Sequence, residues 1–301
     1  MNARKSEIHM HSTFSDGEFS PTELVQLAKK NKVGILSLTD HDTFTGVDEL
    51  VSAARSEGIV AFPGIEITVT YREYALHLLS YFSDLSLINP DLRDLVEKMK
   101  DTRDQRMRDL IVRVDQALPE KFRGLIKFEN VRKAAEGVVA RPHLAREMVR
   151  LGIVKNTQEA FDQYLVKYNI EKKNLPIKEA IEWVRESKGV PVLAHPGERT
   201  YSIFNPEKGR EESGVAEILE ELCSYGLLGL ECIYPYHERM GSVDYFLKMA
   251  DKMGLIATGS RDFHGFYYNQ KKQILGTTNM DDSFYQKFQQ AWNPLAGEAV
   301  G

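Results

Sequence analysis

The sequence has little of what marks several classes of protein. Its 301 residues include only two cysteines, Cys223 and Cys232, which form no CxxC pair. Neither a disulfide framework nor a zinc ribbon is therefore expected. The longest apolar runs, such as Val190–Ala194, are far too short to cross a bilayer. The first residues lack the apolar stretch of a secretory signal. We therefore expect a cytoplasmic protein without a membrane partner.

An excess of positive charge is also lacking. The formal net charge is -5, and 28% of the residues are charged, which argues against a protein that coats long duplex nucleic acid. This balance still allows a small cationic pocket. Hydrophobic residues make up 42% of the chain, enough for the large core of a globular protein.

Short apolar runs bounded by turn residues recur at both ends of the chain and predict about seven strands. These runs are Glu7–Met10, Gly34–Leu38, Ile59–Ala61 continuing into Ile65–Thr70, Leu76–Phe82, Val190–Ala194, Leu227–Ile233 and Leu255–Thr258. Helical patterns separate most of them. Strand–helix alternation predicts an α/β fold with a parallel sheet, either closed or doubly wound.

The middle of the chain predicts helices only. Charged helical patterns cover Pro90–Leu118, Phe128–Glu136, Pro142–Leu151 and Thr157–Tyr168. About 90 residues is far more than a barrel crossover needs. We therefore predict a helical cap over residues 84–180, inserted into a strand-rich unit made of residues 1–83 and 181–301.

Polar residues gather on the predicted strands or just after them. His9 and His11 are two positions apart on the first predicted strand and therefore share a face, so both can bind one ion. The second strand runs into Asp40-His41-Asp42, where a barrel places its active site; Asp42 itself is interpreted as a turn or helix-capping residue.

The later strands add further candidates. Glu66 and His77 lie among apolar residues, and a buried carboxylate or imidazole needs a partner. Taken singly, each candidate has an ordinary explanation, such as a core histidine, an ion pair or a turn. Jointly, the candidate ligands are His9, His11, Asp16, His41, Glu66, His77, His195, Asp262 and His264.

This mixture of imidazoles and carboxylates suits zinc, manganese or iron(II). Nine candidate ligands exceed what one ion can use, so two or three divalent ions are expected, with Glu66 bridging. Such a centre polarises a phosphoryl group and forms hydroxide at neutral pH.

These segments resemble the polymerase and histidinol phosphatase (PHP) family. The motifs that carry the resemblance are His9-x-His11-x4-Asp16-Gly17, Thr39-Asp-His41-Asp, Gly64-x-Glu66, His77, Ala194-His195-Pro and Asp262-x-His264-Gly. The resemblance covers residues 6–83 and 189–265. It implies a distorted (β/α)7 barrel with a trinuclear metal site. The implied ligand groups are His9, His11, Glu66 and Asp262; Glu66, His77 and His195; and Asp16, His41 and His264.

Two segments depart from the family pattern. The usual Gly-Ser-Asp before the last ligand pair is Gly259-Ser260-Arg261-Asp262 here, so a different local turn is expected. A glycine-rich Gly-Lys-Pro stretch of one branch is replaced at 167–173 by Lys-Tyr-Asn-Ile-Glu-Lys-Lys. The second departure concerns the substrate end of the cap and not the metal ligands.

Arginines in the predicted cap suggest an anionic substrate. Arg103 and Arg106 fall on the apolar stripe of the helix over 90–118, and guanidinium groups bind phosphate bidentately. The alternatives are pairing with carboxylates of another helix and local exposure. The segment Ala140-Arg-Pro-His-Leu-Ala-Arg resembles a branch that acts on nucleoside 3',5'-bisphosphates and on 5'-phosphorylated short RNA.

Other residues are candidates for substrate contact or proton transfer. Arg141 and His143 flank Pro142 at a predicted helix start, which favours anions; capping with surface exposure is the alternative. Arg199 follows His195 by four residues. His237 could donate a proton, although a solvated loop histidine is equally consistent with its position. The other catalytic residues are expected among the ligands Asp16, His41, Glu66 and His264.

The sequence therefore predicts a metal-dependent phosphoesterase. The expected enzyme is a phosphoric ester hydrolase that uses metal-hydroxide attack. The expected substrates are 3',5'-bisphosphates, nucleoside monophosphates or short 5'-phosphorylated RNA. A metal-dependent C–N hydrolase and a non-catalytic metal-binding regulatory domain remain as alternatives.

Overall fold

The computed structural model describes residues 4–170, 175–198, 200–204, 212–268, 271–278, 280 and 282–293. The strands are β1 Lys5–Glu7, β2 Val33–Leu36, β3 Val60–Ala61, β4 Gly64–Tyr71, β5 Tyr74–Tyr81, β6 Leu175–Pro176, β7 Val190–Leu193, β8 Gly229–Ile233, β9 Ile256–Gly259, β10 Tyr267–Tyr268 and β11 Lys271–Lys272. The helices are α1 Pro21–Lys30, α2 Val47–Ser56, α3 Pro90–Ala117, α4 Phe128–Lys133, α5 Arg141–Arg150, α6 Thr157–Ala160, α7 Ile177–Glu186, α8 Glu212–Ser224, α9 Pro235–Met240, α10 Val243–Lys252 and α11 Ser283–Trp292.

Local sequence signals explain where the helices begin. At the start of α1, the Ser20 side chain accepts the Glu23 N–H, and the Glu23 side chain accepts the Ser20 N–H. This reciprocal cap satisfies backbone donors that have no partner inside the helix. Pro21 occupies the first turn, where its missing N–H costs nothing.

The strands form a mixed α/β fold. Strands β1, β2 and β3 pair in parallel, and a second sheet has the order β6-β4-β5-β7-β8-β9. Isolated bridges connect the two sheets at Met10 with Phe263 and at His41 with Glu66. The ladders between the described strands do not by themselves close into a ring.

The prediction of a parallel sheet is wrong for β5. This strand runs antiparallel to both β4 and β7. Only two residues separate β4 from β5, and Arg72 in that turn has a φ of 50°. A connection this short can join only antiparallel strands, because a parallel crossover needs a dozen residues or more.

Helix α3 contributes to two separate apolar cores. Its first half places Leu92 and Val96 in the core around β4, β5, β7 and β8. Its second half places Leu110 and Val114 in a core with α4, α5 and α6. With 28 residues, the helix is about 42 Å long, which lets one element reach both cores.

Candidate metal centre

Glu66 lies at the centre of a buried cluster of the predicted ligands. It stands on β4, and its side chain is 1% exposed. Its Oε1 atom is 2.7 Å from His77 Nδ1 and 3.3 Å from His195 Nε2. Its Oε2 atom is 2.9 Å from His41 Nδ1 and 3.3 Å from His11 Nε2. One carboxylate thus faces imidazoles from four other segments of the chain.

Two further carboxylates complete the cluster. Asp262, which follows β9, has its Oδ1 atom 3.0 Å from His11 Nε2 and 3.2 Å from His9 Nε2. Asp16 Oδ1 is 3.3 Å from His264 Nε2. The structure therefore brings all nine predicted ligands together.

The possible ligand atoms form three overlapping groups, and within each group all of these atoms lie within 4.8 Å of one another. The groups are His11, Asp16, His41 and His264; His9, His11, Glu66 and Asp262; and His41, Glu66 and His77. The division differs from the one implied by the resemblance, because His11 belongs to two groups and His41 stands where His195 was expected. His195 Nε2 nevertheless lies 3.3 Å from His77 Nδ1.

The buried polar atoms of this cluster fit a cation. In the described part of the chain, His9 Nε2 and Glu66 Oε2 are buried but meet no partner with hydrogen-bond geometry. A buried polar group left in this way costs several kcal/mol. Because lone pairs of imidazole and carboxylate converge here, a shared divalent cation would satisfy both atoms.

The histidines of the cluster divide into two sets. Although burial opposes it, neighbouring carboxylates raise the pKa of His9, His41, His195 and His264, whereas burial lowers the pKa of His11 and His77. Burial, with His264 and His41 nearby, lowers the pKa of His11 to about 3, so its ring is neutral at pH 7, the form that binds metals. Burial disfavours ionisation of Asp16. The neighbouring His264 and His41 outweigh that effect and hold the pKa of Asp16 well below its usual value.

Residues at three strand ends have a left-handed backbone. The φ angles are 51° at Asp42, 25° at His195 and 50° at Asp262. Positive φ is uncommon for residues other than glycine, and such strain is concentrated at functional sites. The surrounding contacts must therefore hold these turns in place.

Arg103, which was predicted to bind phosphate, forms an ion pair with the carboxylate of Asp42. Its Nε atom donates to Asp42 Oδ2 over 2.8 Å, and its Nη2 atom donates to the same oxygen and to Thr68 Oγ1. Asp42 does lie in a turn, as interpreted, but its side chain is fully buried and also accepts the Thr68 N–H at 2.7 Å. Of the explanations considered for Arg103, pairing with a carboxylate is therefore the one observed. The carboxylate comes from the turn after β2 and not from another helix.

Arg106 and Arg141 form hydrogen bonds with uncharged groups. Arg106 donates to the carbonyl oxygen of Ile170 and to Asn169 Oδ1, at 2.9 and 2.8 Å. Arg141 lies 3.5 Å from the Tyr201 hydroxyl. The Tyr201 ring in turn stacks on the His77 ring with centroids 4.0 Å apart.

His143 caps a helix instead of lying on the surface. Its Nδ1 atom accepts the Ala140 N–H at 3.0 Å, and the residue is 1% exposed. Burial, together with Arg146, lowers the pKa of His143 to about 4, so the ring is neutral at pH 7. Arg199 lies outside the described residues.

The structure does not favour His237 as a proton donor. Its Nδ1 atom donates to the carbonyl oxygen of Cys232 over 2.9 Å, and its Nε2 atom accepts the Gly197 N–H at 3.0 Å. The residue is fully buried, and its ring stacks on Phe246. Because both nitrogens are occupied by backbone groups, His237 connects strand β8 to the segment after β7 and is not a solvated loop histidine either.

Three residues next to the ligands were not predicted as site residues, although one of them, Asp40, stands in the Asp40-His41-Asp42 run at the expected position of the active site. Glu231 on β8 is buried and contacts His9; its position within an apolar strand is the same signal that identified Glu66. Buried Asp40 accepts hydrogen bonds from Ser12, and burial raises its pKa to about 6. Tyr201 had no signal, because its contact with His77 joins distant parts of the chain.

The two departures from the family pattern have different outcomes. Ser260 Oγ accepts the N–H groups of Ile8 and His9, so this serine supports the first strand. Arg261 points away from the ligands and pairs with Glu238. In the segment 167–173, Asn169 and Ile170 contact Arg106, and residues 171–173 lie outside the described part.

Comparison with known proteins identifies the family. The profile described as PHP domain matches residues 7–173, more than half of the chain. The chain belongs to the PHP family. Within the parts of the chain that the structure describes, no helix combines the length and the apolar character needed to cross a membrane.

Relatives of this PHP protein include two bacterial enzymes. A 5'-3' exoribonuclease of Haemophilus influenzae is 33% identical over 197 residues, which is 64% of this chain and 69% of the relative. A 3',5'-nucleoside bisphosphate phosphatase of Chromobacterium violaceum is 26% identical over 262 residues, 86% of each chain. These names and the family confirm the prediction of a phosphoric ester hydrolase.

A solved structure agrees with this PHP fold over nearly its whole length. It is a candidate metal-dependent phosphoesterase from Bifidobacterium adolescentis, with a TM-score of 0.80 and 26% sequence identity. The match covers 98% of this chain and 99% of the other. The overall fold is therefore shared with that protein.

Proposed function

We propose that this protein is a metal-dependent phosphoesterase that removes phosphate from small nucleotides or from 5'-phosphorylated RNA ends. The observation that carries the proposal is a buried cluster of imidazoles and carboxylates around Glu66. Arg141 is connected to this cluster through Tyr201, whose hydroxyl lies 3.5 Å from Arg141 and whose ring stacks on His77. The relatives named as a bisphosphate phosphatase and an exoribonuclease support the substrate class.

The cluster would hold two or three divalent cations, of manganese, zinc or iron. The residues that would bind them are His9, His11, Asp16, His41, Glu66, His77, His195, Asp262 and His264. Bound divalent cations supply Lewis acidity toward a phosphoryl group and a nucleophile at neutral pH. In catalysis, Asp16, His41, Glu66 and His264 would serve to hold the cations, and Glu66 belongs to two of the three possible ligand groups.

Arg106 and Arg141 would recognise a second phosphate or the nucleotide body. Burial lowers the pKa of Arg106, and the positive charge of the nearby Arg141 lowers it further, as expected for two guanidinium groups that repel each other. An anion placed between them would relieve that repulsion and accept charge-assisted hydrogen bonds. Tyr201 contacts both Arg141 and His77, so a small substrate could reach both residues.

The proposed architecture has two units. Residues 1–83 and 181–301 would form a distorted (β/α)7 barrel, and the bridges between Met10 and Phe263 and between His41 and Glu66 support such a ring. Residues 84–180 would form the cap, supported by an apolar core built from positions between 107 and 165 alone. The metal cluster would then lie between the barrel and the cap.

A phosphate-release assay tests the function. The full chain, loaded with manganese, is expected to release inorganic phosphate from at least one member of a panel of nucleoside bisphosphates, monophosphates and 5'-phosphorylated short RNAs. Metal content is measured on the same sample by mass spectrometry. No turnover of any phosphate ester with metals bound, or fewer than two ions per chain at full activity, would contradict the proposal.

Arg141→Ala is expected to weaken substrate binding selectively. Loss of a charge-assisted hydrogen bond costs about 1.5–3 kcal/mol, so KM for a 3',5'-bisphosphate should rise about 10- to 100-fold. KM for a minimal aryl phosphate should change little. Arg150→Ala is the control, because Arg150 lies on the same helix with its side chain 61% exposed. Equal effects of Arg141→Ala on both substrates would remove Arg141 from recognition of the second phosphate.

A further inference from the structure

One buried carboxylate contacts two predicted ligands without joining the cluster itself. Glu231 lies on β8 and is 1% exposed. Its Oε1 atom is 2.9 Å from His9 Nδ1, and its Oε2 atom accepts the backbone N–H of His195 at 2.9 Å. Each carboxylate oxygen therefore serves a different ligand. No ion pair joins Glu231 to a lysine or arginine in the part of the chain described by the structure.

The contact with His9 determines which ring nitrogen faces the cluster. A carboxylate oxygen accepts, so Nδ1 carries the proton and donates it to Glu231. The other nitrogen, Nε2, is then directed at the cluster, 3.4 Å from Glu66 Oε1 and 3.2 Å from Asp262 Oδ1. A ligating histidine commonly donates its second N–H to a carboxylate, which orients the ring and raises its basicity.

The contact with His195 acts through the backbone. His195 follows β7 and has a φ of 25°, a conformation that costs energy for a residue with a side chain. The hydrogen bond from its N–H to Glu231 stabilises this conformation. The result is that His195 Nε2 lies 3.3 Å from Glu66 Oε1, and the ring stacks beside that of His9 with centroids 5.7 Å apart.

The geometry points to Glu231 as a positioning residue for metal binding: its single carboxylate orients two ligands, His9 and His195, that come from different strands. This inference rests on the proposed metal-binding function. Glu231 holds the two rings in the positions from which they face Glu66, so that the cation site is formed before the cation arrives. Loss of such a partner of a metal ligand typically lowers metal affinity 10- to 100-fold.

Direct titration of the full-length, metal-free protein with manganese tests the inference. Glu231→Gln keeps the shape of the side chain but has only one acceptor oxygen, so it can accept the N–H of His9 or of His195 but not both. We expect its manganese affinity to fall 10- to 100-fold relative to the unaltered protein. Glu231→Asp, which keeps the charge on a shorter side chain, should show a smaller loss and serves as the test if Glu231→Gln does not fold.

Glu147→Gln provides a matched control. Glu147 is also a buried carboxylate, at 7% exposure, but it lies in the cap and pairs with Arg150. Its replacement should lower the unfolding free energy of the metal-free protein without changing manganese affinity. Unchanged affinity in Glu231→Gln, or in Glu231→Asp where only that variant folds, would overturn the positioning role. Absence of manganese binding by the unaltered protein would instead overturn the proposed function.

Discussion

Replacing Glu66 with glutamine is expected to abolish most of the phosphatase activity. The Glu66 carboxylate faces His11, His41, His77 and His195 within 3.3 Å, so an uncharged amide would weaken every cation group that shares it. Cation stabilisation of a phosphoryl transition state amounts to several kcal/mol. Since 1.36 kcal/mol corresponds to a factor of ten, kcat/KM should fall on the order of 1,000-fold, with a parallel loss of bound manganese.

The measurement pairs steady-state phosphate release with metal analysis of the same samples. Glu147→Gln is again the matched change, because it removes a buried carboxylate that contacts Asn130 and Arg150 in the cap. That control should keep both its metal content and its kcat/KM. A Glu66→Gln protein that retained two ions and near-normal turnover would show that Glu66 does not bridge them.

The convergence of the ligands was predictable from the sequence because the position of a residue relative to the end of a strand predicts where it lies in the fold. Residues such as His9 and His264 are far apart in the chain, yet each lies on a strand or directly after one. Strands of a sheet that end on the same side bring such residues together whatever their spacing. Apolar periodicity likewise located the long helix α3 and the two partly buried arginines, Arg103 and Arg106, on its apolar stripe.

The partners of individual side chains could not be predicted in the same way. Periodicity indicates that Arg103 faces inward, but the choice between phosphate and Asp42 depends on a contact across 61 positions. The double role of Glu231 depends on the packing of β8 against two other strands. The antiparallel direction of β5 depends on the two-residue turn after Tyr71, which an apolar pattern does not reveal.

Arg103→Ala is expected to destabilise the fold more than it alters the chemistry. The Arg103 side chain is 10% exposed and that of Asp42 is fully buried, so the alanine variant leaves a buried carboxylate without its cation. Breaking a buried pair in this way costs about 3–5 kcal/mol. Because Arg103 lies on α3 and Asp42 follows β2, the loss should loosen the contact between α3 and the strands. Urea unfolding of the metal-free protein measures this effect.

Arg108→Ala, on the same helix, separates this effect from a general loss of charge. Arg108 pairs with Glu129 at 3.6 Å, but the two side chains are 48% and 76% exposed, and exposed pairs contribute about 0–1 kcal/mol. Arg103→Lys keeps the charge without the planar fork that donates twice to Asp42, so its stability should lie between those of the alanine variant and the unaltered protein. If Arg103→Ala were as stable as Arg108→Ala, the pairing with Asp42 would not hold the cap. That result would favour the phosphate-binding role that the position of Arg103 on the apolar stripe predicts.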